Sequence, residues 1–502
     1  MVPVPYPTIQ SAINDPTCTT IMVAAGTYPE GPGPLNVFRT VTLNGAQAGM
    51  DARNPRGMES VITDPQGTIV RASNVVIDGF TIQNSAVATF TGYGVDLAPG
   101  IGGTQILNNI IQNNIVGIGL ANLMIPALIR HNLIRTNNLP GGSSGTGIYT
   151  DEFVGGSVVR DVRIVENTFT GNVDAGIDSS NTDPAGGVFS VEVANNTFDA
   201  NGRAVVLFNT HNWSIHDNTI SNNTFAASAA VRIFDNNTNM SILNNNLTNG
   251  LGHAVRLSFF GFVGGPSSGV VLHENNIGTV GPASFAGDGL LVDPGSHVGT
   301  VNAECNWWGS ASGPINVNNV GGTGEEVVGD ADFTPWLTAP APGGSCFGGI
   351  PSTPGKVTGG GQISGDDPLF SPTGDLISLP AITLSAMNSN GKATFGLSVK
   401  CCPASGNLEY NDHDADVRIK AQSFDSLHIS SPGLTCPTVL GSKHADMTGT
   451  ADVTRSTGTV PESLTVNVDD CGEPGTSDNF HIKTDTYENG PATLIGGNIQ
   501  IH

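Results

Sequence analysis

Strand-like segments between residues 94 and 258 open on a small residue, Gly94, Gly117, Gly147, Gly176, Ala204, Ala230 and Ala254, each followed by an apolar one. In a strand, the residue two steps beyond the small one faces away from that apolar neighbour. This outward column reads Asp96, Gly119, Tyr149, Asp178, Val206, Arg232 and Arg256. Two residues further on it reads Ala98, Ala121, Asp151, Ser180, Phe208, Phe234 and Ser258, with Arg203 and His253 at the edge of the same face. Aromatic rings pack against sugars, and arginines grip carboxylates with two parallel hydrogen bonds. Tyr149, Asp151, Asp178, Arg203, Phe208, Arg232, Phe234, His253 and Arg256 are therefore the candidate glycan-binding residues. The same chemistry suits a lyase, with an arginine as base and a cation neutralising a substrate carboxylate. The sequence assigns no residue a catalytic role.

Such columns require strands stacked in register, and a repeat supplies them. ILNNIIQNN (106–114), IVENTFTGN (164–172), VANNTFDAN (193–201), IHDNTISNN (215–223) and ILNNNLTNG (242–250) share an opening apolar residue, a polar residue leading to a central Asn, a further apolar residue two positions beyond it and a closing Asn or Gly. The central residues are Asn109, Asn132, Asn167, Asn196, Asn218, Asn245, Asn275 and Asn306, spaced by 23, 35, 29, 22, 27, 30 and 31 residues. A minimum of 22 residues is too short for a helix and a returning strand, so parallel strands of successive coils must stack, with longer spacings marking loops at the corners. The fold class is all-β: a right-handed parallel β-helix. The recurrent Asn is expected to take the left-handed backbone conformation at a bend and to bond its amide up the stack. With coils about 4.8 Å apart, Asp178 to Arg256 spans roughly 15 Å, about three sugar rings.

The solenoid needs closed ends. PTIQSAIND (7–15) predicts a short amphipathic helix with Ile9, Ala12 and Ile13 on one face, capping the first coil. NWWGSASGP (306–314) and DFTPWL (332–337) place three of the four tryptophans near the last coil. YPTIQSAINDP followed by TIMVAAGTYPE resembles the opening of the pectate-lyase-like superfamily of β-helix proteins, and ECNWWGSASGP, GGTG and DFTPWL resemble the ending of many exported β-helix proteins. This resemblance brackets about residues 5 to 340 and implies the fold more than the chemistry. The signature residues of pectin methylesterases are missing. The polygalacturonase-like NTD at Asn181–Asp183 and GLGH at 250–253 lack the intervening paired carboxylates that an inverting hydrolase needs.

Composition sets the remaining bounds. The 66 Gly and 31 Pro with 12% charged residues suit strands and turns rather than helical bundles. Nineteen basic against 43 acidic residues give a net charge of −24, which opposes nucleic acid and anionic lipid. No apolar run is long enough to span a membrane. All lysines (Lys356, Lys392, Lys400, Lys420, Lys443 and Lys483) lie beyond residue 350, marking a change of domain. We expect a β-helix over 1–337, a Pro/Gly/Ser linker over 338–357 and a β-sandwich over 358–502, a module resembling those appended to secreted bacterial proteins. Disulfides of an exported protein are expected, with Cys305 bonded to Cys346, Cys18 left over, and the pairing of Cys401, Cys402, Cys436 and Cys471 open. Asp412, Asp414 and Asp416 alternate as one face of a strand would and are candidate calcium ligands, beside a second acidic group of Asp469, Asp470, Glu473 and Asp478. The expected function is an extracellular or cell-surface β-helix protein, structural or glycan-binding. The alternatives are a lyase or hydrolase of an acidic glycan and a self-associating surface fibre or adhesin.

Overall fold

The structure is a computed structural model of the 502-residue chain. It describes all residues except 32, 87–91, 281–283, 342–354, 365–391, 402–403, 414, 432, 434, 437–438, 440, 457 and 485. The chain divides into two compact units, Met1–Gly348 and Gly349–His502. The strand Gly355–Ser364 opens the described part of the second unit, so the expected linker ends inside a strand.

In the first unit, successive strands belong to three different parallel sheets of 12, 10 and 12 strands among the described residues. One coil uses Val158–Val165 in the first sheet, Thr168–Thr170 in the second and Ala175–Ser180 in the third. The next repeats the pattern with Gly187–Ala194, Thr197–Asp199 and Arg203–Phe208, each hydrogen-bonded in register to its predecessor. This is the right-handed parallel β-helix, the hand that parallel crossovers adopt. Alternating residues feed its interior: Ile82, Ile111, Ile134, Phe169, Phe198, Ile220, Leu247 and Ile277 form one inward column of the second sheet. None of these is more than 1% exposed, and burial of each contributes about 1.5–3 kcal/mol. The Phe169 and Phe198 rings stack at 4.7 Å.

The eight repeat asparagines form one continuous ladder. Asn196 shows the unit: its Oδ1 accepts the Asn167 backbone N–H at 2.8 Å and the Asn167 Nδ2 at 3.1 Å. Its own Nδ2 donates to the Ile164 carbonyl at 2.7 Å and to Asn218 Oδ1 at 3.1 Å. The pattern runs from Asn109, through Asn132, to Asn306. Left-handed backbone, however, belongs to the residue before each ladder Asn: Asn108, His131, Glu166, Asn195, Asp217, Asn244, Glu274 and Cys305, all with φ between 52° and 57°. The expectation that one Asn does both jobs is corrected. The left-handed residue turns the chain outward, and this swings the next side chain into the interior. A second ladder, Asn114, Asn137, Asn172 and Asn201, follows the same rule at the corner between the second and third sheets.

The ends close as expected. Helix Ile9–Asn14 has a capping box between Thr8 and Ser11 and buries Ile9, Ala12 and Ile13. The Glu30 carboxylate accepts the Ile9 and Gln10 amides, and Arg39 donates to the Ile13, Asp15 and Cys18 carbonyls. At the other end Trp307 and Trp308 are buried, and Trp336 packs beside Phe333.

Among the described residues the second unit is one nine-stranded antiparallel sheet curled on itself, so the two layers of the expected sandwich are two halves of one sheet. The halves meet where Phe395 stacks on Phe480 at 3.9 Å, strands that lie five places apart in the sheet. Cys436 is bonded to Cys471, and Cys18 is free. Cys305 is disulfide-bonded, while Cys346, its expected partner, lies outside the described residues.

The ladder makes a direct prediction. Asn196→Ala strands the Asn167 amide, the Ile164 carbonyl and half of the Asn218 pairing, and should cost about 3–5 kcal/mol in chemical denaturation. Asn195→Gly, at the exposed left-handed position one residue earlier, should stay within about 0.5 kcal/mol.

Candidate functional site

Strand pairing places the expected outward column on adjacent coils of the third sheet: Asp96 beside Gly119, then Tyr149, Asp178, Val206, Arg232 and Arg256. Ser180 pairs with Phe208 on the second column, and the Phe208 and Phe234 rings stack at 4.2 Å. The register read from the repeat is therefore the register of the fold.

The state of these side chains differs from an open solvated face. Asp178 is 8% exposed and receives the Ser180 hydroxyl. Burial pushes its carboxyl up to about 6, against the lowering influence of Ser180 and Arg203. Burial likewise pushes Asp96 up to about 6, with Arg71 opposing. Burial raises the Tyr149 phenol, whose O–H donates to Asp151 at 2.8 Å. Asp151 lies just past the end of strand Thr146–Thr150, where its Oδ1 accepts the Phe153 and Val154 amides and shapes a loop.

The cations are largely spoken for. Arg256 grips Asp293 with contacts of 3.0–3.3 Å, Arg203 pairs with Asp174 and lies over Phe225, and His253 Nδ1 accepts the Asp288 amide at 2.9 Å. Arg232 is 4% exposed. Its guanidinium stands 4.3 Å over the Phe234 ring and donates to Ser258 at 2.8 Å. Burial and the neighbouring Arg256 lower it to about 10. The two arginines expected to reach for substrate carboxylates are already engaged: Arg256 holds a carboxylate of its own chain, and Arg232 lies over the Phe234 ring. Removing both would unsettle the corner as well as any ligand.

The loops give the face its relief. Loops 151–157, 181–186 and 258–267 all leave the same corner, between the third and first sheets. Glu152 ties the first two together by accepting the Thr182 amide and hydroxyl. Between them and the third loop lie two coils with short connections, Asn209 alone and residues 234–237. The result is a saddle floored by Phe208 and Phe234. Phe260 and Phe262 overhang it from the third loop, at 5.5 Å from Phe234 and 6.5 Å from Phe208. They are 58% and 71% exposed. The repeat gave no access to these two, since they lie outside it; the run FFGF (259–262) in a chain with 6% aromatic residues was the available signal.

The acidic groups of the second unit are structural. Asp412 ends its strand and is fully buried, accepting the Tyr487 hydroxyl at 2.7 Å and the Ala415 amide at 3.1 Å. Asp416 falls in the following turn at φ 51°, and Asp414 lies outside the described residues. The alternating strand face proposed for calcium thus ends at its first member. In the second group, Asp478 accepts the Cys471 and Ile499 amides, Asp470 the Ile501 amide, and Glu473 the Asn498 and Gln500 side chains.

Asp178 offers a pH test. A carboxyl raised to about 6 from about 3.9 loses stability as pH rises between those values, because the folded state disfavours its charge. Asp178→Asn should therefore raise the melting temperature relative to the parent at pH 7–8, and the gain should vanish near pH 4; equal curves at both values would place the titration elsewhere.

Among known proteins, residues 3–212 match a family of proteins of unknown function (DUF1565). No curated protein matches the chain significantly. Similar solved structures include the Dettilon tailspike protein, at 10% identity and TM-score 0.34, covering 96% of this chain and 85% of that one. The enzymatically active domain of tailspike protein 2 of bacteriophage CBA120 gives 10% identity and 0.34, over 98% and 73%. The A-module of the Azotobacter vinelandii mannuronan C-5 epimerase AlgE4 gives 15% and 0.27, over 65% and 90%.

Proposed function

We propose that this β-helix is an extracellular or cell-surface protein that binds an extended, predominantly neutral glycan across the saddle of its third sheet. The observation that carries the reading is the aromatic cluster of Phe208, Phe234, Phe260 and Phe262, left open to solvent between two groups of long loops. Apolar ring surface flanked by carboxylates suits a sugar, whose C–H edges pack on aromatics while its hydroxyls donate to Asp. The Cys436–Cys471 bond fits an oxidising surrounding.

Charge argues for a neutral rather than an acidic glycan. Asp96 and Asp178 share the outward column, with Asp151 in the loop that follows its strand, while Arg203 and Arg256 are neutralised by Asp174 and Asp293. A polyuronate would meet these carboxylates and the chain's net charge of −24, while the Arg203 and Arg256 cations of the face are already paired. A second reading, glycan cleavage, has one observation in its favour: the Asp178 carboxyl near 6 is poised to donate a proton close to neutral pH and lies one coil from Tyr149.

Affinity electrophoresis against neutral and uronate polysaccharides tests both. Retardation is expected in a neutral polysaccharide, insensitive to salt, with roughly 2–10-fold weakening on Phe262→Ala. Retention confined to uronates and lost in salt would overturn the neutral assignment. Release of new reducing ends, abolished in Asp178→Asn, would promote cleavage over binding.

A further inference from the structure

The carboxylate of Asp235 is fully buried, yet it pairs with no cation among the contacts of the described residues. Its two oxygens instead accept two backbone amides from the loop of the next coil: Oδ1 takes the Phe260 N–H at 2.7 Å and Oδ2 the Phe262 N–H at 2.6 Å. Gly261 sits between them at φ 73°, a left-handed conformation that brings the flanking amides round to one anion. The loop is anchored again where the Asn236 amide donates to the Gly265 carbonyl at 2.9 Å, and Val263 is buried at its base. Phe260 and Phe262 themselves are exposed, so burial of their rings does not fix them. A buried anion with both oxygens spent on a solvent-exposed loop costs desolvation that the stack of coils does not require.

From this geometry we infer that Asp235 is the positioning residue of the glycan site: its carboxylate holds Phe260 and Phe262 over the Phe208–Phe234 stack before ligand arrives. This rests on the glycan-binding reading above. The class of ligand it favours is a chain presenting an apolar sugar face to a preformed aromatic overhang, because fixing the two rings in advance removes the ordering cost that a free loop would carry into binding. Charge-assisted bonds from amides to a carboxylate are strong enough to do this, and replacing one oxygen by an amide NH₂ sets donor against donor.

The test uses the full chain with Asp235→Asn, with the pair Phe260→Ala/Phe262→Ala, and with all three changes together. Without ligand, hydrogen exchange of the segment containing residues 260–262 should quicken by about tenfold or more in Asp235→Asn, while ladder segments keep their protection. With the neutral polysaccharide that retards the parent, Asp235→Asn should weaken binding by about three- to tenfold, and should add nothing in the background lacking both rings, since positioning matters only while there are rings to position. Losses that add would overturn the inference, as would unchanged exchange or unchanged affinity. Gly261→Ala, strained at φ 73° but keeping the carboxylate, should reproduce the exchange and affinity changes if Asp235→Asn folds poorly. A parent that binds no polysaccharide sinks the binding reading itself and with it the positioning role. Quickened exchange in that case would leave Asp235 a loop clamp only.

Discussion

The register of one coil upon the next is the constraint on which everything else depends, and the asparagine ladder enforces it. Each ladder amide before the last, Asn306, accepts from the coil before, donates to the coil after, and returns a hydrogen bond to a backbone carbonyl, so a slip of one residue would strand several buried polar groups at once. A slip would also turn every inward Ile and Phe to solvent. The two penalties act together, and the ladder residues are accordingly no more than 1% exposed. Lateral order in the third sheet follows from this. Asp178 faces Tyr149 on one side and Val206 on the other because the corner asparagines leave no alternative.

The outer face is governed by a different balance. Few of its charges stand alone: Arg203 with Asp174, Arg256 with Asp293, and the chain of Arg232, Ser258 and Asp293 consume the cations that a sequence reader counts as available. Partly buried charges need partners more than exposed ones do, and inserted corner loops both bury the face and supply those partners. Aromatic area is what remains open.

The C-terminal sheet shows how far internal pairing goes in so acidic a chain. His444 lies between Asp469 at 2.8 Å and Asp446 at 2.7 Å. Burial opposes its charge, but the two carboxylates outweigh this and hold the imidazole well above its usual value. The bonding continues from Asp446 through Asn467 and His481 to Glu488. The acidic residues of this network stitch neighbouring strands together.

The sequence by itself determined the β-helix, the helical cap, the ladder from Asn109 to Asn306 and the outward column from Asp96 to Arg256. These are repeating features: a period of two sets the faces, and a buried amide recurring once per coil sets the alignment. It did not reveal that the left-handed residue precedes the ladder Asn, because that position carries Asn, His, Glu, Asp or Cys with no common signal, and backbone angles separate the roles. Tertiary structure alone decided that Arg256 finds Asp293, that Asp235 captures the Phe260 and Phe262 amides, that one curled sheet makes both layers of the second unit, and that Asp412 turns inward to Tyr487. Those contacts join a repeating coil to a non-repeating loop, or one half of a sheet to the other. No periodicity encodes them, and they form only where packing brings a buried charge within reach of whatever donor the fold has placed there.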